Sequence, residues 1–182
     1  MTDEEFDTFE SGLENALLMV CTSLGMLDGT LLATDDIDSK WKDLVPGYMA
    51  DAVRNVNEYP DFTLACAGYA GTAVARWWDE DWGRHHGASL RDMQGERGFD
   101  DMDDYITVSI LGYPLDSVEA GRLRSTMECL TRQAWNFINH SGVERGTADA
   151  LTALSRSAFV IYRIGAAIEL KRLGYRFEKV SM

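Results

Sequence analysis

The stretch "PDFTLACAGYAGTAVARWW", residues 60–78, decides how this chain folds. No residue between Asp61 and Arg76 carries a charge. A helix that is apolar around its whole circumference belongs in an interior, so the pattern predicts a central core helix over about 60–82. Ala67, Gly71 and Ala75 stand four apart on it. A helix face without bulk lets a neighbouring backbone come close, as small-residue faces do in membranes. The run is too short to cross a membrane, which takes roughly 18 consecutive apolar residues, and no other stretch reaches that length.

Outward from this centre the sequence reads as amphipathic helices. Phe6, Phe9, Leu13, Ala16, Val20 and Leu27 recur at helical spacing, which predicts a first helix from Asp3 to about Leu27. Thr2 and Glu5 are placed as its capping box. "LATDDIDSKWKD" interrupts the pattern with turn-forming and acidic residues. A shorter helix is expected after Pro46, whose fixed φ suits a first turn, with Tyr48, Met49, Ala52, Val53 and Val56 on its buried face. Residues 104–111 admit two readings. Ile106, Val108 and Ile110 alternate like a strand, while Met102, Ile106 and Ile110 fit a helix face, and the lack of a strand partner favours helix. Asp116 and Glu119 suit a capping box for a fifth helix with the stripe Ala120, Leu123, Met127, Leu130, Ala134 and Phe137. The last helix opens near Thr147 and follows Leu151, Leu154, Ala158, Ile161, Gly165 and Ile168. It stops at Gly174, a C-terminal cap, and the tail beyond either packs back or frays.

With three prolines, no linker-like stretch and no repeat at a fixed period, the fold class is all-α. The expectation is one domain over residues 1–182, a bundle of five or six helices around the small-residue-rich helix. Residues 83–98, "GRHHGASLRDMQGERG", hold four glycines and little apolar periodicity, so a long loop is expected there.

The 182 residues carry a formal net charge of −13. Such a field repels phosphate backbones and anionic bilayers, so neither nucleic acid nor membrane is an expected partner. The acidic start lacks the Lys or Arg of a secretory signal. Cys21, Cys66 and Cys129 are three, scattered in apolar helical stretches, which reads as reduced core thiols in a cytoplasmic protein.

Chemistry concentrates in "WWDEDWGRHHG", residues 77–87. Asp79, Glu80 and Asp81 fall where a helix ends, at the negative pole of its macrodipole, and three carboxylates there break a local rule. Trp77, Trp78, Asp81, Trp82, Arg84, His85, His86 and Arg91 are therefore the candidate ligand- or partner-binding residues. Asp81, His85 and His140 are the candidate metal ligands, though adjacent histidines point about 100° apart on a regular helix. "FDDMDDY" and "TDDIDSK" lack the glycine and distal glutamate of a calcium loop; their carboxylates suit helix starts. No Glu-x-x-His, nucleophile elbow, phosphate loop or dinucleotide fingerprint occurs. No catalytic residue is identified and no cofactor is expected. The leading expectation is a helical protein that acts by binding or assembly, with a protein partner, a second copy or a small ligand. The alternative is a metal-dependent or acid–base enzyme built on Asp79–His86, the one route by which a divalent metal would enter.

Overall fold

Thr2, Thr34, Ser117 and Thr147 each accept a hydrogen bond from the third backbone N–H that follows, and each starts a helix. In the computed structural model, which describes residues 1–176, these are α1 (Asp3–Ser23), α2 (Asp35–Asn55), α5 (Val118–Asn139) and α6 (Ala148–Arg172). Between them lie α3 (Pro60–His85), opened by a proline in its first turn, and the short α4 (Met102–Tyr105). The architecture is an all-α bundle, with no strand among the described residues.

The stretch that decides the fold is the interior rod it was read to be, and it has an equal partner. α3 buries an unbroken run from Cys66 to Ala75, and α6 buries Ile164 to Leu170. The two cross through glycine. A Cβ on Gly71 would lie 1.9 Å from the carbonyl oxygen of Tyr162, and one on Gly165 would lie 2.1 Å from that of Gly68. Backbone therefore meets backbone at the crossing, and only glycine leaves room. α1, α2 and α5 pack around this pair with the stripes Phe6–Phe9–Leu13–Leu17, Ile37–Trp41–Leu44–Tyr48–Ala52 and Leu123–Met127–Leu130–Ala134. Two buried phenols fix the registers: Tyr162 Oη donates to Ile37 O at 2.6 Å, and Tyr48 Oη donates to Thr63 O at 2.8 Å.

Several expectations are corrected. α1 ends at Ser23, not Leu27, because Gly25 takes a left-handed φ of 72° and turns the chain. α2 begins at Asp35, eleven residues before Pro46, so the acidic stretch is its first turn and Pro46 lies inside the helix. A proline there removes one i→i−4 bond, but both Pro46 and Lys42, whose carbonyl is freed, face solvent. The loop expected over 83–98 is largely ordered. α3 continues to His85, and 3₁₀ turns occupy Leu90–Met93 and Gly98–Asp101. Ser89 and Asp92 cap the first turn reciprocally, and buried Leu90, Met93 and Phe99 pin the segment to the core. Ser117, not Asp116, caps α5. Cys129 is exposed, unlike Cys21 and Cys66. Residues 106–110 are helical in a wide π-type turn, closed by Leu111 N donating to Ile106 O at 2.8 Å. α6 is, by length and composition, long and apolar enough to cross a membrane, yet 67% of that window is buried inside the bundle. Of the tail, Tyr175 packs edge-on against Trp78 with centroids 5.4 Å apart; residues 177–182 lie outside the described residues.

Candidate functional site

The two ends of α2 carry the two candidate sites. At its start, the end of α3 folds down onto it. Asp81 leaves the helical region (φ −166°, ψ 88°), and its Oδ1 accepts from the backbone N of Arg84 at 3.1 Å. Asp81 therefore acts as an N-cap inside α3 and starts a further turn. That turn brings His85 back over Trp77, with ring centroids 5.2 Å apart and planes 9° from parallel. The three consecutive carboxylates have three separate partners. Asp79 accepts the Tyr175 hydroxyl at 2.7 Å, Glu80 lies 3.5 Å from Arg76, and Asp81 caps. The rule-break is thus offset locally, carboxylate by carboxylate.

The rest of the segment grips α2. Trp78 Nε1 donates to Asp36 Oδ2 at 3.2 Å. Lys40, 4% exposed, donates from Nζ to the His86 carbonyl at 2.7 Å and lies 3.5 Å from Asp43. His86 Nδ1 sits 3.1 Å from Trp82 O and 3.0 Å from Gly83 O, which places its proton on Nδ1. Gly83 does not take the left-handed conformation of a helix cap. Arg84 and Arg91 are exposed. His140 caps the end of α5, its Nδ1 2.7 Å from Asn136 O. Among the described residues no three His, Cys, Asp or Glu side chains are placed to hold a metal, so Asp81, His85 and His140 are not gathered into a centre.

At the other end of α2, its last turn, the end of α5 and the start of α6 do not close on one another. They leave a cleft of about 670 Å³. Val53, Val56, Trp135, Ile138, Leu151 and Leu154 form its apolar wall, and Asn57, Asn139, Arg145 and Thr147 bring polar atoms to it. Val53 and Leu151, on two of the converging helices, are each 47% exposed. The α5–α6 connection, in which Gly142 and Gly146 both take left-handed φ (81° and 77°), supplies Val143, Arg145 and Gly146 to the lining. Arg145, on that loop, lays its guanidinium over the Trp135 ring at 5.7 Å and donates from Nη2 to Asn139 Oδ1 at 3.2 Å.

A second cavity, about 330 Å³, borders Tyr113, Arg122 and Arg172. Next to it Glu169, 2% exposed, accepts from Arg76 Nε at 3.0 Å and from Arg172 Nε at 2.8 Å. Arg76 also donates to Leu111 O at 3.2 Å, and Arg172 stands 4.9 Å over the Tyr113 ring. Burial is the main reason the Tyr113 phenol is raised above its ordinary pKa, with the Glu169 charge next. A carboxylate this buried is tolerated because two guanidiniums satisfy it. The cluster ties α3, α6 and the turn at residues 106–111 together.

None of the cleft residues stood among the sequence candidates. One sign of it was present. Trp135 lies off the stripe Ala120–Leu123–Met127–Leu130–Ala134, just before a loop with two glycines. Comparison of the chain with protein-family models, with curated proteins and with solved structures finds no match.

Proposed function

We propose that this chain is a non-catalytic binding protein that receives a small, largely apolar molecule in the cleft between the ends of α2 and α5 and the start of α6. One observation carries the reading: an open cleft of about 670 Å³ with an apolar wall and a few convergent polar groups. Small-molecule sites typically enclose roughly 300–1,000 Å³ and have this mixture of walls. The rival reading, metal-dependent or acid–base chemistry at Asp79–His86, has less support, because Asp79, Glu80 and Asp81 are each engaged with a partner inside the chain.

Nile red, a neutral dye whose emission reports apolar surroundings, tests the proposal. Titration of the native protein should give one saturable site. Ala150→Trp, which adds an indole to the cleft wall, should weaken uptake at least tenfold while circular dichroism stays helical. Uptake that is unsaturable, or indifferent to the added indole, overturns the reading.

A further inference from the structure

Resting on the cleft reading, the charge distribution narrows the occupant. Acidic residues outnumber Lys and Arg by 30 to 17 in this chain, and a wall drawn at random from its surface would hold several carboxylates. Among the described residues, the cleft wall holds none, and its one charged side chain is Arg145. Arg145 has no ion-pair partner among the described residues. Its guanidinium offers five N–H donors in a planar fork; one is engaged, by Asn139 Oδ1, while the Trp135 ring under it holds the plane in place. Of the helix ends around it, α6 turns its N–H end toward the cleft and α2 and α5 their carbonyl ends, which leaves a partial negative remainder of about half a charge, smaller than the full charge of Arg145. The full charge on the wall is a single positive one.

A planar fork with free donors at the rim of an apolar cleft matches a planar oxyanion. We infer that the occupant is an amphipathic monocarboxylate: one carboxylate on Arg145, and an unbranched or ring-bearing apolar body along Val53, Ile138, Leu151 and Leu154. A dianion would bring a second charge for which the wall has no partner. A cationic amphiphile would meet Arg145 as a like charge.

Three probes of one chain length separate the possibilities: decanoate, decan-1-ol and decylammonium, each displacing Nile red from the native protein at fixed ionic strength and neutral pH. Because Arg145 is exposed, the charge is worth only about 1 kcal/mol, so decanoate should bind about fivefold tighter than decan-1-ol, and decylammonium weakest of the three. Arg145→Gln should abolish the preference, so that decanoate and decan-1-ol bind that variant equally, and Arg145→Lys should keep it. Equal affinity for decanoate and decan-1-ol in the native protein overturns the monocarboxylate and leaves the apolar cleft standing. A preference that survives Arg145→Gln overturns the role of Arg145. If none of the three displaces the dye, the cleft reading fails with it.

Discussion

α2 is 21 residues long, about 30 Å from end to end, and its two ends behave oppositely. The first two turns meet Trp77–Gly87, a polar and aromatic segment, and there most of the strong groups have an internal partner: Trp78 with Asp36, Lys40 with the His86 carbonyl, Asp81 with the Arg84 N–H. The last turn meets plain residues, Val, Leu and Ile, and leaves Val53 and Leu151 half in water near one arginine. The difference teaches that density of chemistry in a sequence is a poor guide to where a molecule is open. Polar groups held a few residues apart on converging helices tend to satisfy one another, because a buried donor or acceptor left alone costs about 1–3 kcal/mol. Apolar side chains carry no such obligation to find a partner, because a partly exposed one leaves no donor or acceptor unpaired.

The harshest way to break this comparison is to pry apart the seam on which both ends are mounted. Gly71→Ala puts a Cβ 1.9 Å from a backbone oxygen of α6. Backbone cannot rotate away as a side chain can, so the overpacking loss sits at or beyond the usual range, about 3 kcal/mol. It exceeds the gain of up to about 1 kcal/mol that alanine brings to a helix interior. Urea unfolding should show a lowered midpoint, equivalent to a net loss of about 2 kcal/mol, with Nile red uptake weakened as α6 shifts. A variant as stable as the parent would mean that the two backbones do not touch.

A matched pair of substitutions sharpens the contrast between the ends. Lys40→Met keeps the buried stem but removes the ammonium that bonds the His86 carbonyl. A hydrogen bond to a charged group is worth about 1.5–3 kcal/mol, so a loss of about 2 kcal/mol is expected, with no change in dye affinity. Leu151→Ser removes an apolar side chain that is 47% exposed. Stability should move by no more than about 0.5 kcal/mol, as for surface positions generally, while dye affinity falls severalfold. The comparison collapses if Lys40→Met weakens the dye, or if Leu151→Ser unfolds the chain and leaves the dye bound.

The core was legible in the sequence because burial leaves a periodic trace. The charge-free run after Asp61 named α3, and alternations of three and four named α1, α5 and α6. α2 was half missed. Its stripe Ile37–Trp41–Leu44–Tyr48–Ala52 is regular, but Asp35, Asp36 and Asp38 look like a loop until Thr34 is seen to cap a helix whose positive end they favour. The glycine run at 83–98 misled for a related reason: burial of Leu90, Met93 and Phe99 orders a segment whose local composition favours none. The cleft was not legible, because it depends on how far apart the ends of α2, α5 and α6 stand in space, and one-dimensional spacing holds no such distance.

The smallest expected effect separates the ends by acid. Asp38, in the first turn of α2, has its carboxyl raised above the ordinary value chiefly by burial, against the pull of Arg163 3.4 Å away, with Asp35 adding repulsion. A carboxyl raised in the folded state holds its proton more tightly there than in the unfolded chain. Its stabilisation is therefore present below the ordinary carboxylate value and lost as pH rises through the raised one. Glu10 and Asp103 are raised by burial too, so only the difference between the parent and Asp38→Asn isolates this group. Between about pH 6 and 4.5, where carboxylates titrate, the unfolding midpoint of the parent should improve relative to that of the variant. Neutral dye uptake should stay flat over the same interval, because no Asp, Glu, His, Cys or Tyr lines the cleft among the described residues. Parallel midpoint curves would remove Asp38 as a source of pH dependence, and a dye affinity that slopes with pH would mean that acid at the polar end of α2 is felt at the apolar one.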